Sequence, residues 1–98
     1  MPQIFNSMQT RTATIVNPQG IHCRPSALIV KEFAAYPGTI SVSNDNGTAA
    51  LSSVLQLLSL EIHMGSTVRI TVEGPDEAAT ADRLVALFQT RFDFPPRT

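Results

Sequence analysis

Tryptophan is absent from this 98-residue sequence, cysteine occurs once, and only 15% of residues are charged, with 7 basic set against 8 acidic. Each scarcity excludes something. A single cysteine rules out an internal disulfide framework and suits a reducing compartment, so the fold must stand on its apolar core. Near-balanced charge leaves no basic stripe to follow a phosphate backbone, and nucleic acid drops out of the expected partners. No apolar run approaches the ~20 residues that span a bilayer, so direct membrane insertion is not expected. Met1-Pro2-Gln3-Ile4-Phe5 lacks the charged flank and long apolar stretch of a secretory signal. A cytoplasmic protein of one domain with a modest core remains.

What the chain does have is clear periodicity. Residues 1–9 show none and read as a loose lead-in; the domain is expected over 10–92, with a loose tail over 93–98 after Phe92. Thr12 and Thr14 alternating with Ala13 and Ile15 predict a strand over Thr10–Val16, broken by Asn17-Pro18-Gln19-Gly20. Ser26, Ile29, Val30, Phe33 and Tyr36 share one face of a predicted helix that Pro37-Gly38 ends; Leu28, Lys31 and Glu32 face out. A strand over Thr39–Ser43 should turn at Asn46-Gly47, with both φ angles positive, into a return strand over Thr48–Leu51. Ser52 or Ser53 then caps a short helix carrying Val54, Leu55, Leu57 and Leu58. A last strand, Thr67–Glu73, points Val68, Ile70 and Val72 inward. The final helix starts at Asp76-Glu77, with Ala81, Leu84, Val85, Phe88 and Phe92 as its inner stripe. The order βαββαβα describes an α+β domain: a four-stranded antiparallel sheet with three helices on one face and threonines and charges on the other.

The chemistry concentrates in Gly20-Ile21-His22-Cys23-Arg24-Pro25-Ser26-Ala27. With His22 as the helix cap, Cys23, Arg24 and Pro25 fill the first turn, and proline costs little where its missing donor would be unpaired. The positive end of the helix dipole favours an anion there, and a guanidinium fork suits phosphate oxygens. An imidazole so placed is able to carry a phosphoryl group. The same eight residues also read as a capping histidine beside a surface arginine. A metal site is disfavoured, because Cys23 and His63 are the only soft companions and no CxxC or HxxxH spacing exists. A hydrolytic role would need an orienting acid that the neighbouring sequence does not provide.

The stretch Gly-Ile-His-x-Arg-Pro-Ser-Ala resembles the active-site signature of HPr, the histidine-containing phosphocarrier family of the bacterial phosphoenolpyruvate-dependent sugar phosphotransferase system. The run from Ser53 to Leu60, then Gly65 and Val68-Arg69-Ile70, is similar to that family's second signature, around a regulatory serine, and Gly74-Pro75-Asp76-Glu77 also matches. The resemblance covers about Thr10 to Phe92. It implies an open-faced β-sandwich with strand order 1-4-2-3 and a phosphoryl group on Nδ1 of His22, contacted by Arg24. It also implies a docking surface of Cys23, Ala27, Lys31, Val54, Leu55 and Leu58, with Ser53 as a second phosphorylation site. The implied partners are enzyme I, a IIA component of a sugar or nitrogen branch, and an HPr serine kinase/phosphorylase, with no cofactor. Three positions depart from the pattern: Cys23 stands where the family has Ala or Thr, and Ser52 and Gln56 where Lys and Gly are common. Cys23 is read as a small half-buried side chain and His63 as solvent-exposed. The alternative from another class is a regulatory binding module of the same fold, acting on a transcription factor or kinase without sugar transport. A small-molecule sensor fits less well, since no ligand-contacting glycine-rich loop is present.

Overall fold

Val68, Ile70 and Val72 alternate with polar residues along the last strand, and Ala13 with threonines at the end of the first, and that alternation decides which face of the sheet is buried. The structure, a computed structural model, describes residues 8–92; residues 1–7 of the expected lead-in and the expected tail 93–98 lie outside them. The elements are β1 (Gln9–Thr14), α1 (Cys23–Glu32), β2 (Thr39–Asn44), β3 (Gly47–Ala50), α2 (Val54–Ser59), β4 (Thr67–Glu73) and α3 (Glu77–Phe88). The four strands form one antiparallel sheet in the order β1-β4-β2-β3, so β4 lies between β1 and β2. This is the expected α+β open-faced sandwich.

Register sets the core. Ala13 faces Val68, Val42 lies between Ile70 and Ala49, and Ile40 faces Val72. Ala13, Val42, Ala49, Val68, Ile70 and Val72 are buried, and Ile29 of α1, Leu57 of α2 and Leu84 and Phe88 of α3 cover them. Each large side chain so buried contributes about 1.5–3 kcal/mol. On the opposite face, Thr10, Thr12, Thr14, Ser41, Ser43, Thr67 and Thr71 surround Arg69 and Glu73 and meet water.

Several boundaries differ from the sequence reading, each for a local reason. β1 begins at Gln9 and stops at Thr14, not Val16; Ile15 then trades backbone hydrogen bonds with the 65–66 loop (N to Ser66 O, 2.9 Å; O from Gly65 N, 2.7 Å). α1 ends at Glu32 rather than Tyr36: Ala34 N bonds Lys31 O at 3.3 Å and Tyr36 N bonds Phe33 O at 3.0 Å, i→i−3 contacts that tighten the last turn. Pro37 disfavours helical backbone at Tyr36. The Tyr36 hydroxyl donates to Pro75 O at 2.7 Å, and loss of water around the ring pushes its phenol above the usual range.

The hairpin also turns one residue early. Its loop is Asp45-Asn46, because Asn44 Oδ1 accepts from Asn46 N at 2.8 Å, and Asn44 pairs with Gly47. Only Gly47 has positive φ, so the expected Asn-Gly turn with two positive angles is not formed. Asn44 and Asn46 instead donate their amides to Leu60 O at 2.9 and 2.7 Å, closing the carboxyl end of α2. Phe92 lies beyond the end of α3 and still packs, half-buried, on the core.

Glu61, just past α2, has φ +52. Its N–H donates to Leu58 O at 3.1 Å, a left-handed helix ending that glycine adopts without strain. Glu61→Gly is expected to raise stability by about 0.5–1 kcal/mol, measured as a higher urea midpoint with an unchanged slope.

Candidate functional site

The segment that delivers His22 is fixed before the helix starts. Asn17-Pro18-Gln19-Gly20 closes a turn through Gly20 N to Asn17 O at 2.9 Å, and Asn17 Nδ2 returns to Gly20 O at 2.7 Å. Gly20 has φ +68; a Cβ there would run into the Ile62 carbonyl oxygen and sit 3.0 Å from His63 Cα. Only glycine meets both conditions. The next residue, Ile21, is buried and donates its N–H to Ile62 O at 3.1 Å.

His22 is the N-cap of α1, with extended backbone (φ −85, ψ −160), an exposed side chain and no side-chain cap hydrogen bond. Its carbonyl accepts from Ser26 N at 2.9 Å, while the buried Ser26 hydroxyl donates to Ile21 O at 3.2 Å. Pro25 and Ser26 are both buried. The backbone is thus held on each side of His22, and the imidazole projects outward. No acidic side chain lies in the first turn of α1, so nothing there pre-empts an incoming anion at the positive end of the helix.

Arg24, Ala27, Leu28 and Lys31 are exposed along one side of α1. Cys23 is exposed, not half-buried as expected: it precedes the inward pair Pro25-Ser26 and stays on the solvent side of the first turn. α1 packs against α2, where Val54 and Leu58 are half-buried and Leu55 is 79% exposed. These apolar and long-stemmed side chains lie on two packed helices, with Arg24 in the first turn of α1. Ser53 caps α2, its Oγ accepting from Gln56 N at 3.1 Å. Gln56 Oε1 in turn accepts from Ala50 N at 2.9 Å, tying α2 to β3. His63 is exposed on the loop beside Gly20.

A concavity of about 480 Å³ lies elsewhere, lined by Tyr36, Ser41, Thr48, Thr71 and Glu73 among others, and neither His22 nor Arg24 borders it. Among the described residues no group of three or more His, Cys, Asp or Glu is placed to hold a metal ion, and no helix is long and apolar enough to cross a membrane. The sequence marks Asn17 only as part of a turn and gives Ile62 no role at the site. Asn-Pro marks a turn, but nothing local shows that the Asn17 amide turns inward or that Ile62 arrives from across the fold.

Comparison with known proteins points the same way. Residues 9–90 match the family model described as the PTS HPr component phosphorylation site. The phosphocarrier protein HPr of Treponema pallidum is 31% identical over 86 residues, a span covering 88% of this chain and 98% of that one. HPr of Vibrio cholerae is 34% identical over 80 residues, covering 82% and 94%. The crystal structure of HPr from Bacillus anthracis matches with a TM-score of 0.80 at 31% identity, covering 86% of this chain and 100% of the other.

Proposed function

This chain belongs to the PTS HPr family of phosphocarriers, and on that premise we propose that the phosphoryl group it carries rides on the imidazole of His22. The observation behind this reading is the exposed ring on a backbone pinned at Ile21 and Ser26, at a helix end with no acid in its first turn. A neutral imidazole has a lone pair on one ring nitrogen; from the resemblance we assign this to Nδ1. That nitrogen attacks phosphorus on phospho-enzyme I, and the donor's bond to phosphorus breaks as the N–P bond forms. A IIA component of a sugar or nitrogen branch then takes the group in the same way. The chain is thus a substrate of phosphotransferases rather than an enzyme itself, and we place the relay in the cytoplasm. The docking surface is Cys23, Ala27, Lys31, Val54, Leu55 and Leu58 around His22 and Arg24; apolar patches beside a charged fork suit partners that meet briefly and part. The test is incubation with enzyme I and phosphoenolpyruvate. Intact mass should rise by one phosphoryl group, and the gain should vanish after acid treatment.

Arg24 stabilises charge on the phosphoryl oxygens as they pass. Arg24→Ala is expected to slow loading and unloading about ten-fold or more, with stability changed by no more than about 0.5 kcal/mol at this exposed position. Unchanged rates at both steps would reduce it to a surface residue.

Ser53 is the proposed second phosphorylation site, for a kinase of the HPr serine kinase/phosphorylase type. Its support is positional: Oγ lies at the start of α2 beside the half-buried Val54 and the exposed Leu55. Phosphate there would place about two negative charges in the apolar docking surface. Ser53→Asp keeps a capping oxygen, so it isolates the charge. It should weaken loading by enzyme I markedly, and Ser52→Asp should do so less. Ser53→Ala should chiefly lose about 1 kcal/mol of stability. Wild-type loading of Ser53→Asp leaves the serine only its capping role.

A further inference from the structure

Asn17 is 5% exposed, and both polar atoms of its amide are occupied. Nδ2 donates to Gly20 O at 2.7 Å, two residues from His22, and Oδ1 accepts from Phe92 N at 2.8 Å, beyond the end of α3. A second tether lies alongside: Thr14 N donates to Gln89 Oε1 at 3.0 Å. The turn itself is already closed by the backbone bond from Gly20 N to Asn17 O at 2.9 Å. What the side chain adds is the direction of the Gly20 carbonyl, and with it the peptide plane that leads into Ile21 and His22. An amide offers a donor and an acceptor together. An ionised aspartate of the same shape keeps the bond from Phe92 N but sets a negative oxygen against the Gly20 carbonyl.

We infer that Asn17 is a positioning residue for phosphotransfer, aligning the His22 backbone against the carboxyl end of α3. The inference rests on His22 being the accepting group. In-line attack on phosphorus tolerates little misalignment, and an error near 1 Å costs up to about a hundred-fold in rate. A lock on the peptide two residues before the nucleophile therefore acts on the rate of transfer at saturating donor. It leaves donor affinity alone, because Asn17 is buried and offers almost no surface to a partner.

The experiment measures loading by phospho-enzyme I over a range of donor concentrations, well below each variant's melting temperature, for wild type, Asn17→Asp, Asn17→Ser, Gln89→Ala and His22→Ala. Asn17→Asp should fall about ten- to a hundred-fold in kcat with KM within about two-fold. Asn17→Ser, which keeps a shorter donor and acceptor, should lie between it and wild type and supplies the measurement if the aspartate variant does not fold. Gln89→Ala, which loses only the neighbouring tether, should melt lower yet load at the wild-type rate. Wild-type kcat in folded Asn17→Asp or Asn17→Ser overturns the inference, as does an equal loss in Gln89→Ala, which would trace the effect to general loosening. Acid-labile loading of His22→Ala would instead overturn the reading of His22 itself.

Discussion

His22→Ala should leave a folded protein that takes up no acid-labile phosphate from enzyme I and phosphoenolpyruvate. The fold is expected to survive because the His22 ring is exposed and makes no capping bond. The contacts that hold this junction belong to the backbone and to Ile21, Pro25 and Ser26. The stability change should stay within about 0.5 kcal/mol. The chain has 2 histidines, so His63→Ala is the natural control and should load normally. Intact mass before and after acid treatment, with a thermal melt on the same sample, decides the matter. An acid-labile gain in the alanine variant would move the phosphoryl group to another residue.

Gly20→Ala should damage both stability and transfer. Positive φ costs an alanine about 1–2 kcal/mol. The new Cβ would also enter the space of the Ile62 carbonyl oxygen, the acceptor of the Ile21 N–H bond at 3.1 Å. To relieve the clash, the 17–21 segment must separate from the 62–63 segment, which breaks that bond and tilts the start of α1. A loss of at least about 2 kcal/mol follows, or a melting temperature lower by about 10 °C for a domain this size. Loading per folded molecule should fall as well, because the displaced peptide is the one that aims His22. A variant that melts and loads like wild type would show that the turn yields without moving the ring.

The order of elements and the inward faces were legible because Val68-Ile70-Val72 and Ala81-Leu84-Phe88 repeat at the spacings of a strand and a helix. The ends were less so. Tyr36 continues the apolar stripe of α1, yet the following proline and the i→i−3 bonds stop the helix at Glu32. The Asn46-Gly47 pair is a strong turn signal, but the Asn44 side chain captured the Asn46 amide and moved the turn one residue earlier. At the site, the glycine before and the Arg-Pro after His22 were enough to place it at a helix mouth. What fixes its aim was not legible, since Ile62 and Phe92 reach the loop from distant parts of the sequence. The exposure of Cys23 was not legible, because the burial of Pro25 in the first turn, which leaves Cys23 on the solvent side, is not visible in composition.

The strand order has a consequence for how the protein acquires its shape. β2 and β3 are neighbours in sequence and are able to pair as soon as both leave the ribosome. β1, the first strand made, has β4 as its sheet partner, and β4 is the last. Closing so large a loop must precede any reward from the β1–β4 ladder, which raises the share of distant contacts and slows folding. β1 alone therefore waits for its sheet partner until Thr67–Glu73 has been made and can enter between β1 and β2. The loop that presents His22 is bonded to the 62–66 segment just ahead of β4. The backbone bonds around His22 can therefore close only after residues 62–66 have been made, and a chain cut short before Ile62 would have its histidine without the carbonyl that holds Ile21.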